Sequence, residues 1–254
     1  MNATYIRIDL LRQLRSIPTI AFTFAMPSFM YVLFGANMPY GDSMSGHANT
    51  KFYVMTSMAA YGAATAAVSI SSMSATESML GWGRQLALTR ASSASVVGNK
   101  VAVATVVAMI AQALVFGVGW QTGARADSWQ VWLWTFLISL AGAALFAAYG
   151  LGMGLLFKSE TAVGLATSSL VFLAFLGNVF TPLDGFMLKL AHVTPMYGYI
   201  GLVRWPQLEG SLVQTGPETP GSDALWVLLA NLGAWTLVFV ALALLGLRRA
   251  RTRQ

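Results

Sequence analysis

Charged residues are scarce in this chain of 254 residues. Asp, Glu, Lys and Arg together make up 9% of it, whereas soluble globular domains contain about 25%. Hydrophobic residues make up 56%, and the mean hydropathy is +0.64. So few charges cannot cover the surface of a soluble protein of this size. The composition therefore predicts an integral membrane protein.

Cysteine is absent, which excludes a disulfide framework and a thiolate metal site. The motifs of several catalytic classes are missing as well. No G-x-x-x-x-G-K-[ST] phosphate loop occurs, so we do not expect the chain itself to hydrolyse ATP by that route. Neither H-E-x-x-H nor G-x-S-x-G is found. His192 has no ligand partner at metal-binding spacing, and we interpret it as a surface or interfacial side chain. We therefore expect a protein that is not an enzyme.

Six long segments contain no charged residue and no histidine. Each has the roughly 20 residues that a helix needs to cross the hydrocarbon core of a bilayer. Helices are favoured in lipid because they satisfy their own backbone hydrogen bonds. We therefore expect an all-α integral membrane protein with one transmembrane domain over 1–254 and no cleavable signal peptide. The predicted spans are 18–38, 52–76, 101–123, 128–157, 161–181 and 224–247.

The distribution of charge predicts the orientation, because cytoplasmic loops of membrane proteins are enriched in Lys and Arg. With both termini inside, the cytoplasmic segments contain eleven basic and three acidic residues, and the external segments contain four basic and six acidic residues. The basic charge is divided among short loops, so it gives no nucleic-acid surface. We expect a multi-pass protein of the inner or plasma membrane with both termini in the cytoplasm.

The segment 1–17 is predicted to be an amphipathic helix that lies in the plane of the membrane interface. Its function is open between a plain orientation anchor and an elbow that transmits movement to the helix bundle. The apolar stripe consists of Ile6, Leu10, Leu14 and Ile17, and the polar residues expected opposite it are Asp9, Arg12, Gln13 and Ser16.

Two further features concern helix packing and the external side. Gly150 and Gly154 form a G-x-x-x-G match, which fits intramolecular packing better than a dimer seam. The segment 180–223 is too polar for another span, and Pro182 and Pro195 interrupt its first half. We expect two short, half-buried external helices over 182–205, followed by an exposed loop rich in turn-forming residues.

The polar segment ATESMLGWGRQLALTRASSASVVGNKV, residues 75–101, resembles a motif of the membrane subunits of type-2 ABC exporters, the ABC-2 permeases. That motif is close to E-R-E-x-G-T-x-E-x-L-x-x-T-P-x-S, followed about eight residues later by Lys. The external segment is similar to the same family in four residues. Met79, Arg84 and Arg90 depart from the motif. The matching positions are Glu77, Gly81, Leu86, Thr89, Ser92 and Lys100 in the polar segment, and Pro182, Pro195, Tyr197 and Arg204 in the external one.

The resemblance implies a coupling helix over 77–90 that docks into a groove of a separate ATPase subunit. It also implies that the second and fifth spans line a seam between two permease copies, or between one copy and a homologous permease. Two ATPase chains would bind ATP and Mg²⁺, and this chain would hold no cofactor. The implied coupling residues are Glu77, Gly81, Arg84, Gln85 and Thr89, and the candidates for the substrate path are Phe172, Phe175, Asn178 and Phe180.

The function implied by the resemblance is export, by an ATP-driven ABC transporter, of an amphiphilic small molecule or a lipid-like compound, as in multidrug and antibiotic-resistance exporters. A permease for polysaccharide or glycolipid is the alternative within the family. From a different class, the chain could be a membrane sensor or immunity protein that binds a ligand without transport. A neighbouring gene for an ATPase with a phosphate loop would favour the exporter.

Overall fold

The computed structural model describes the chain in four stretches, and it is almost entirely helical where it is described. The stretches are 3–73, 93–157, 161–213 and 221–251.

Four helices are long and apolar enough to cross a membrane. They correspond to the predicted spans 52–76, 101–123, 128–157 and 224–247, since uninterrupted apolar runs of this length form helices in lipid. The membrane character expected from composition is therefore present in the fold. These helices are α4 (Thr50–Ser72), α5 (Ser93–Gln121), α6 (Trp129–Phe157) and α10 (Leu225–Arg251).

The other two predicted spans form shorter apolar helical segments. The fifth, α7 (Thr161–Leu176), stops five residues before the predicted end because Asn178 adopts a left-handed backbone conformation with φ 62°. The first begins at Ile17 after Ser16, whose hydroxyl accepts a hydrogen bond from the Thr19 amide. It is built of successive short helical pieces: α2 (Ile17–Thr19), a π-helix (Ile20–Ala25), α3 (Met26–Tyr31) and a second π-helix (Val32–Ala36).

Helix α4 is the centre of the bundle and is the most deeply buried of the four long helices. Alanine lines much of its buried surface, which allows close approach of α5 and α6. A side chain at Gly150 of α6 would collide with the backbone of Val68 in α4, and one at Gly152 would meet Ala243 in α10. Gly150, the first glycine of the G-x-x-x-G match, therefore packs against a helix of the same chain, and so does Gly152 between the two glycines of the match.

The N-terminal helix α1 (Ala3–Leu14) packs against the bundle. Its apolar stripe of Ile6, Leu10 and Leu14 lies against the small-residue cluster formed by α4 and α5. The prediction that Asp9 and Gln13 lie on the opposite, polar face is wrong, since both side chains are buried. Asp9 is buried because it pairs with Lys100, and Gln13 is buried because it donates a hydrogen bond to Met73.

The opposite end of the bundle gathers the short elements. A two-stranded hairpin, β1 (Met44–Ser45) and β2 (Ala48–Asn49), precedes α4. The backbone of Ala48 also bridges Ala126, in the link between α5 and α6. Two short helices, α8 (Gly185–Ala191) and α9 (Pro195–Leu208), occupy the segment for which a pair of short helices is predicted, whereas their place outside the membrane stays a prediction.

Exposed aromatic residues mark this same end. They lie where α5 ends, where α6 and α10 begin, and in the link before β1. Tryptophan and tyrosine are enriched at membrane–water interfaces because one part of the ring system is apolar and another is polar. The residues are Trp120, Trp129, Trp226 and Tyr40.

Candidate functional site

The five residues implied to couple the chain to an ATPase fall in 74–92, outside the described residues. They are Glu77, Gly81, Arg84, Gln85 and Thr89. The coupling helix over 77–90 therefore stays a prediction, and its surroundings are known only from the residues on either side of it.

Those flanking residues contact the N-terminal helix. Asp9 Oδ2 lies 3.1 Å from the Nζ of Lys100, and both side chains are buried. Gln13 Nε2 donates to the sulfur of Met73 at 3.5 Å. Met73 directly precedes the segment 74–92, and Lys100 lies in α5, eight residues after its end. Helix α1 therefore contacts the helices on both sides of that segment. The Asp9 carboxylate also lies 3.1 Å from Arg12 Nη2, one turn further along α1.

Arg204 of α9 is buried at the other end of α4. Its guanidinium donates to Ser57 Oγ, at 3.2 Å from Nε and 2.6 Å from Nη2. It also donates to the carbonyls of Asn178 and Val179 at 2.9 and 3.3 Å, and it lies 4.0 Å from the ring centroid of Tyr53. One charged side chain thus ties α9 to α4 and to the turn after α7.

The surroundings of Arg204 shift the pKa of its guanidinium in two opposite directions. Burial lowers the pKa of the guanidinium, whereas Tyr53 and Tyr197 act in the opposite direction. Ordinary guanidinium groups titrate far above neutral pH. The group therefore remains a cation, stabilised by carbonyls, a hydroxyl and an aromatic face.

Asn178 stabilises the turn after α7 through hydrogen bonds of its side chain and its backbone carbonyl. Its Oδ1 accepts a hydrogen bond from the Leu183 amide at 3.2 Å, and its carbonyl accepts from Arg204. Asparagine is one of the few residues that adopt positive φ with little cost. The resemblance implies Asn178 as a substrate-path residue. A buried amide needs a polar partner, and the partner of this side chain is the Leu183 amide in the same turn.

The three phenylalanines of the predicted path occupy different environments. Phe172 and Phe175 of α7 are exposed, and Phe180 is half-buried. Phe180 packs edge-on against Tyr61 of α4, with ring centroids 5.1 Å apart, and lies 4.7 Å from Phe175. These contacts place an aromatic surface on the outside of α7 that continues into the turn at Asn178.

A polar network holds the start of α9, where the family-like residues Pro195 and Tyr197 lie. Pro195 is the first residue of α9, and the Thr194 hydroxyl caps that helix by accepting from the Tyr197 amide. Tyr197 donates its hydroxyl to Asp223, which also contacts His192 Nε2 at 3.0 Å. Pro182 is half-buried in the non-helical link between α7 and α8. The network fixes α9 against the start of α10.

The Tyr197 hydroxyl has a strongly perturbed pKa. Burial raises it most, the hydrogen bond that it donates to Asp223 raises it further, and the negative charge of Asp223 acts in the same direction. The hydroxyl therefore stays protonated over the physiological pH range.

The cavity beside Arg204 is small. It has a volume of about 30 Å³ and is lined by Tyr53, Asn178, Tyr197, Arg204 and Asp223, among others. Drug-sized ligands occupy pockets of about 300–1,000 Å³, whereas this volume holds about one water molecule. The cavity is therefore too small for an amphiphilic ligand.

Comparison of the chain with models of known protein families finds no match, and comparison with curated proteins finds none either. The contacts between Asp9 and Lys100 and between Arg204 and Ser57 could not have been found from sequence patterns, since neither pair forms a local motif. The features that bear on family are therefore those of the chain itself: its apolar helices, its N-terminal helix and the residues of the segment 75–101.

Proposed function

We propose that the chain is the permease subunit of an ATP-driven ABC exporter that moves an amphiphilic small molecule or a lipid-like compound. The observation that supports it best is the contact of α1 with the helices that flank the segment 74–92, through Gln13 with Met73 directly before it and through Asp9 with Lys100 in the helix after it. A force applied to that segment by another protein would be passed to α1, α4 and α5 together. Such an arrangement suits a coupling element.

Helix α4 is the proposed connector between the two ends of the molecule. It ends at Ser72, beside the proposed coupling segment, and Ser57 near its other end accepts hydrogen bonds from Arg204. Fifteen residues of helix correspond to about 22 Å. Because α4 is packed on most sides, its displacement by an ATPase would be transmitted to α9 and the turn at Asn178.

The proposed path runs between two permease copies. The cavity beside Arg204 is too small for substrate, whereas Phe172 and Phe175 are exposed on one surface of α7. A second copy facing this surface would enclose a path with aromatic walls, as amphiphilic compounds require. Six membrane crossings per chain, a cytoplasmic coupling helix and external re-entrant helices are parts of the same proposal.

The direct test searches the genes that neighbour the gene for this chain for an ABC ATPase, co-expresses that ATPase with the chain and reconstitutes the complex in proteoliposomes. Absence of such a gene would favour the sensor. Wild-type complex should hydrolyse ATP faster in the presence of compounds from an amphiphile panel. Glu77→Gln keeps the side-chain shape and removes the charge. We expect normal membrane expression with loss of most of the stimulation, since an interfacial ion pair that loses one partner costs about 2–5 kcal/mol.

Glu160→Gln is the matched control, because Glu160 is an acidic residue of another segment that the charge distribution assigns to the same side. It should retain stimulation. Loss of stimulation in both variants would contradict a specific role for Glu77. Ligand binding without any stimulated hydrolysis in the wild type would favour the sensor instead, and stimulation by sugar polymers alone would favour the polysaccharide exporter.

A further inference from the structure

Helix α1 has two different faces, and among the described residues the bundle covers only one of them. The covered face contains Asp9 and Gln13 together with the apolar stripe. The uncovered face follows the spacing i, i+3, i+4, i+7, which aligns side chains along one side of a helix. Its residues are Ile8, Leu11, Arg12 and Arg15.

The uncovered face combines apolar and cationic groups. Ile8 is 63% exposed and Leu11 is 41% exposed. With Arg12, Arg15 and Ser16 they line an open groove of about 600 Å³. Exposed isoleucine and leucine beside two guanidinium groups form an amphipathic surface, whereas a solvated helix face would be polar throughout.

The residues that follow the groove along the chain are also apolar and exposed. Ile17 is 79% exposed at the start of α2, and Ile20 and Phe22 follow it with exposed side chains. An apolar surface thus extends from α1 along the segment that enters the membrane. The arginines lie at its polar end, which is the arrangement of a phospholipid with its phosphate at the interface and its chains alongside the protein.

The charge of the groove favours an anion. Asp9 is the only acidic residue of α1, and it is buried against Lys100 on the covered face while also lying 3.1 Å from Arg12. Arginine guanidinium groups bind phosphate oxygens through paired N–H donors. Arg12 and Arg15 are one helical turn apart, so both side chains can reach one phosphate group.

We propose that this face of α1 binds an anionic phospholipid, with the phosphate on Arg12 and Arg15 and the acyl chains along Ile8, Leu11 and Ile17. The lipid fills the angle between the interfacial helix and the first membrane segment, and it holds α1 in the plane of the leaflet. The site does not depend on the proposed transport, because it is formed by α1 and the start of the first membrane segment alone.

The test uses the full chain in nanodiscs of phosphatidylcholine alone, or of equal parts phosphatidylcholine and phosphatidylglycerol. Wild-type protein should melt at a higher temperature in the second composition and should retain phosphatidylglycerol after transfer to detergent, detected by mass spectrometry. Arg15→Gln removes one charge of the groove without touching the Asp9 contacts. It should weaken retention about fivefold, the effect of one basic residue near an anionic membrane.

Two comparisons separate the site from general attraction. Arg7→Gln removes the same charge from an exposed position of α1 outside the groove, and it should retain lipid like the wild type. Leu11→Ser should weaken retention although all charges remain. Equal losses in Arg7→Gln and Arg15→Gln, or no loss in Arg15→Gln, would overturn the proposal.

A free phosphate is the other possible source of the same chemistry. Inorganic phosphate added to phosphatidylcholine nanodiscs should leave the melting temperature unchanged, because it offers no chains for Ile8 and Leu11. Stabilisation by inorganic phosphate equal to that by phosphatidylglycerol would show an anion site and contradict the lipid site. Photoactivatable phosphatidylglycerol should label the peptide that contains Leu11, and labelling elsewhere only would count against the groove.

Discussion

The guanidinium of Arg204 in α9 and the hydroxyl of Ser57 in α4 are joined by two hydrogen bonds, at 3.2 and 2.6 Å. The same guanidinium supplies donors to the turn at Asn178. Arginine can do this because its five N–H groups form a rigid planar fork, whereas lysine presents a single ammonium. One side chain therefore joins α9 to α4 and to the turn after α7.

Arg204→Lys keeps the charge but leaves acceptors without donors. A buried acceptor that loses its partner costs about 1–3 kcal/mol, so we expect a lower free energy of unfolding and a melting temperature several degrees below that of the wild type. Thermal unfolding in detergent measures this. Arg125→Lys, at an exposed position, is the control and should melt like the wild type. Equal melting of Arg204→Lys and the wild type would show that the fork is not needed.

The pair Asp9–Lys100 should behave as a buried ion pair. Asp9→Asn leaves the buried ammonium without its carboxylate, which costs about 3–5 kcal/mol in buried pairs. The double variant Asp9→Asn/Lys100→Gln removes both charges and should recover part of this loss. The pair Asp42–Lys51, with its 3.0 Å separation and an exposed carboxylate, provides the comparison, since pairs at the surface contribute about 0–1 kcal/mol. Additive losses in a double-mutant cycle would argue against direct coupling of Asp9 and Lys100.

The raised pKa of Tyr197 predicts that the protein loses stability at alkaline pH. Its pKa is raised in the folded protein by burial, by the hydrogen bond to Asp223 and by the charge of Asp223, while tyrosine in an unfolded chain titrates near pH 10. The folded state therefore holds the proton more tightly than the unfolded state does. The resulting stabilisation is complete below about pH 10 and is lost as the pH rises above that value.

The measurement is the melting temperature between neutral pH and the alkaline range for wild type and Tyr197→Phe. The wild type should lose more stability above about pH 10 than Tyr197→Phe does, because the variant has no proton to lose at this site. Tyr40→Phe alters an exposed ring and serves as the matched control. Identical pH profiles for wild type and Tyr197→Phe would exclude this contribution.

The charge distribution predicts the orientation, and the absence of native cysteine makes it testable by labelling. A cysteine at the exposed position of Ser43, beside β1, should react with an impermeant maleimide in intact cells. A cysteine at Ser93, where α5 begins, should react only after the cells are opened. The reverse pattern would invert the topology and place the segment 74–92 outside.

Length and apolar composition predicted α4, α5, α6 and α10, because a helix that satisfies its own backbone needs little else to be stable in lipid. Hydropathy could not predict the end of α7 at Leu176, since that end depends on the left-handed backbone of Asn178. Mean hydropathy over a window of residues contains no information about the backbone conformation of one residue.

The polar contacts were beyond prediction for a different reason. Asp9 and Lys100 are 91 residues apart in the chain, and Ser57 and Arg204 are 147 apart. Helical periodicity assigns a charged residue to the solvated face unless a partner is known, and so it placed Asp9 and Gln13 on the wrong side of α1. The exposed apolar residues Ile8 and Leu11 were overlooked for the same reason.

The central claim is that a separate ATPase docks on the segment 77–90. The most direct measurement introduces a photo-crosslinking group through a cysteine at Thr89 and identifies the captured chain by mass spectrometry from native membranes. We expect a chain with a G-x-x-x-x-G-K-[ST] phosphate loop, and none from the matched cysteine at Asp42, which the charge distribution assigns to the other side. Capture of no such chain from Thr89 in correctly inserted protein, or equal capture from both positions, would contradict the claim.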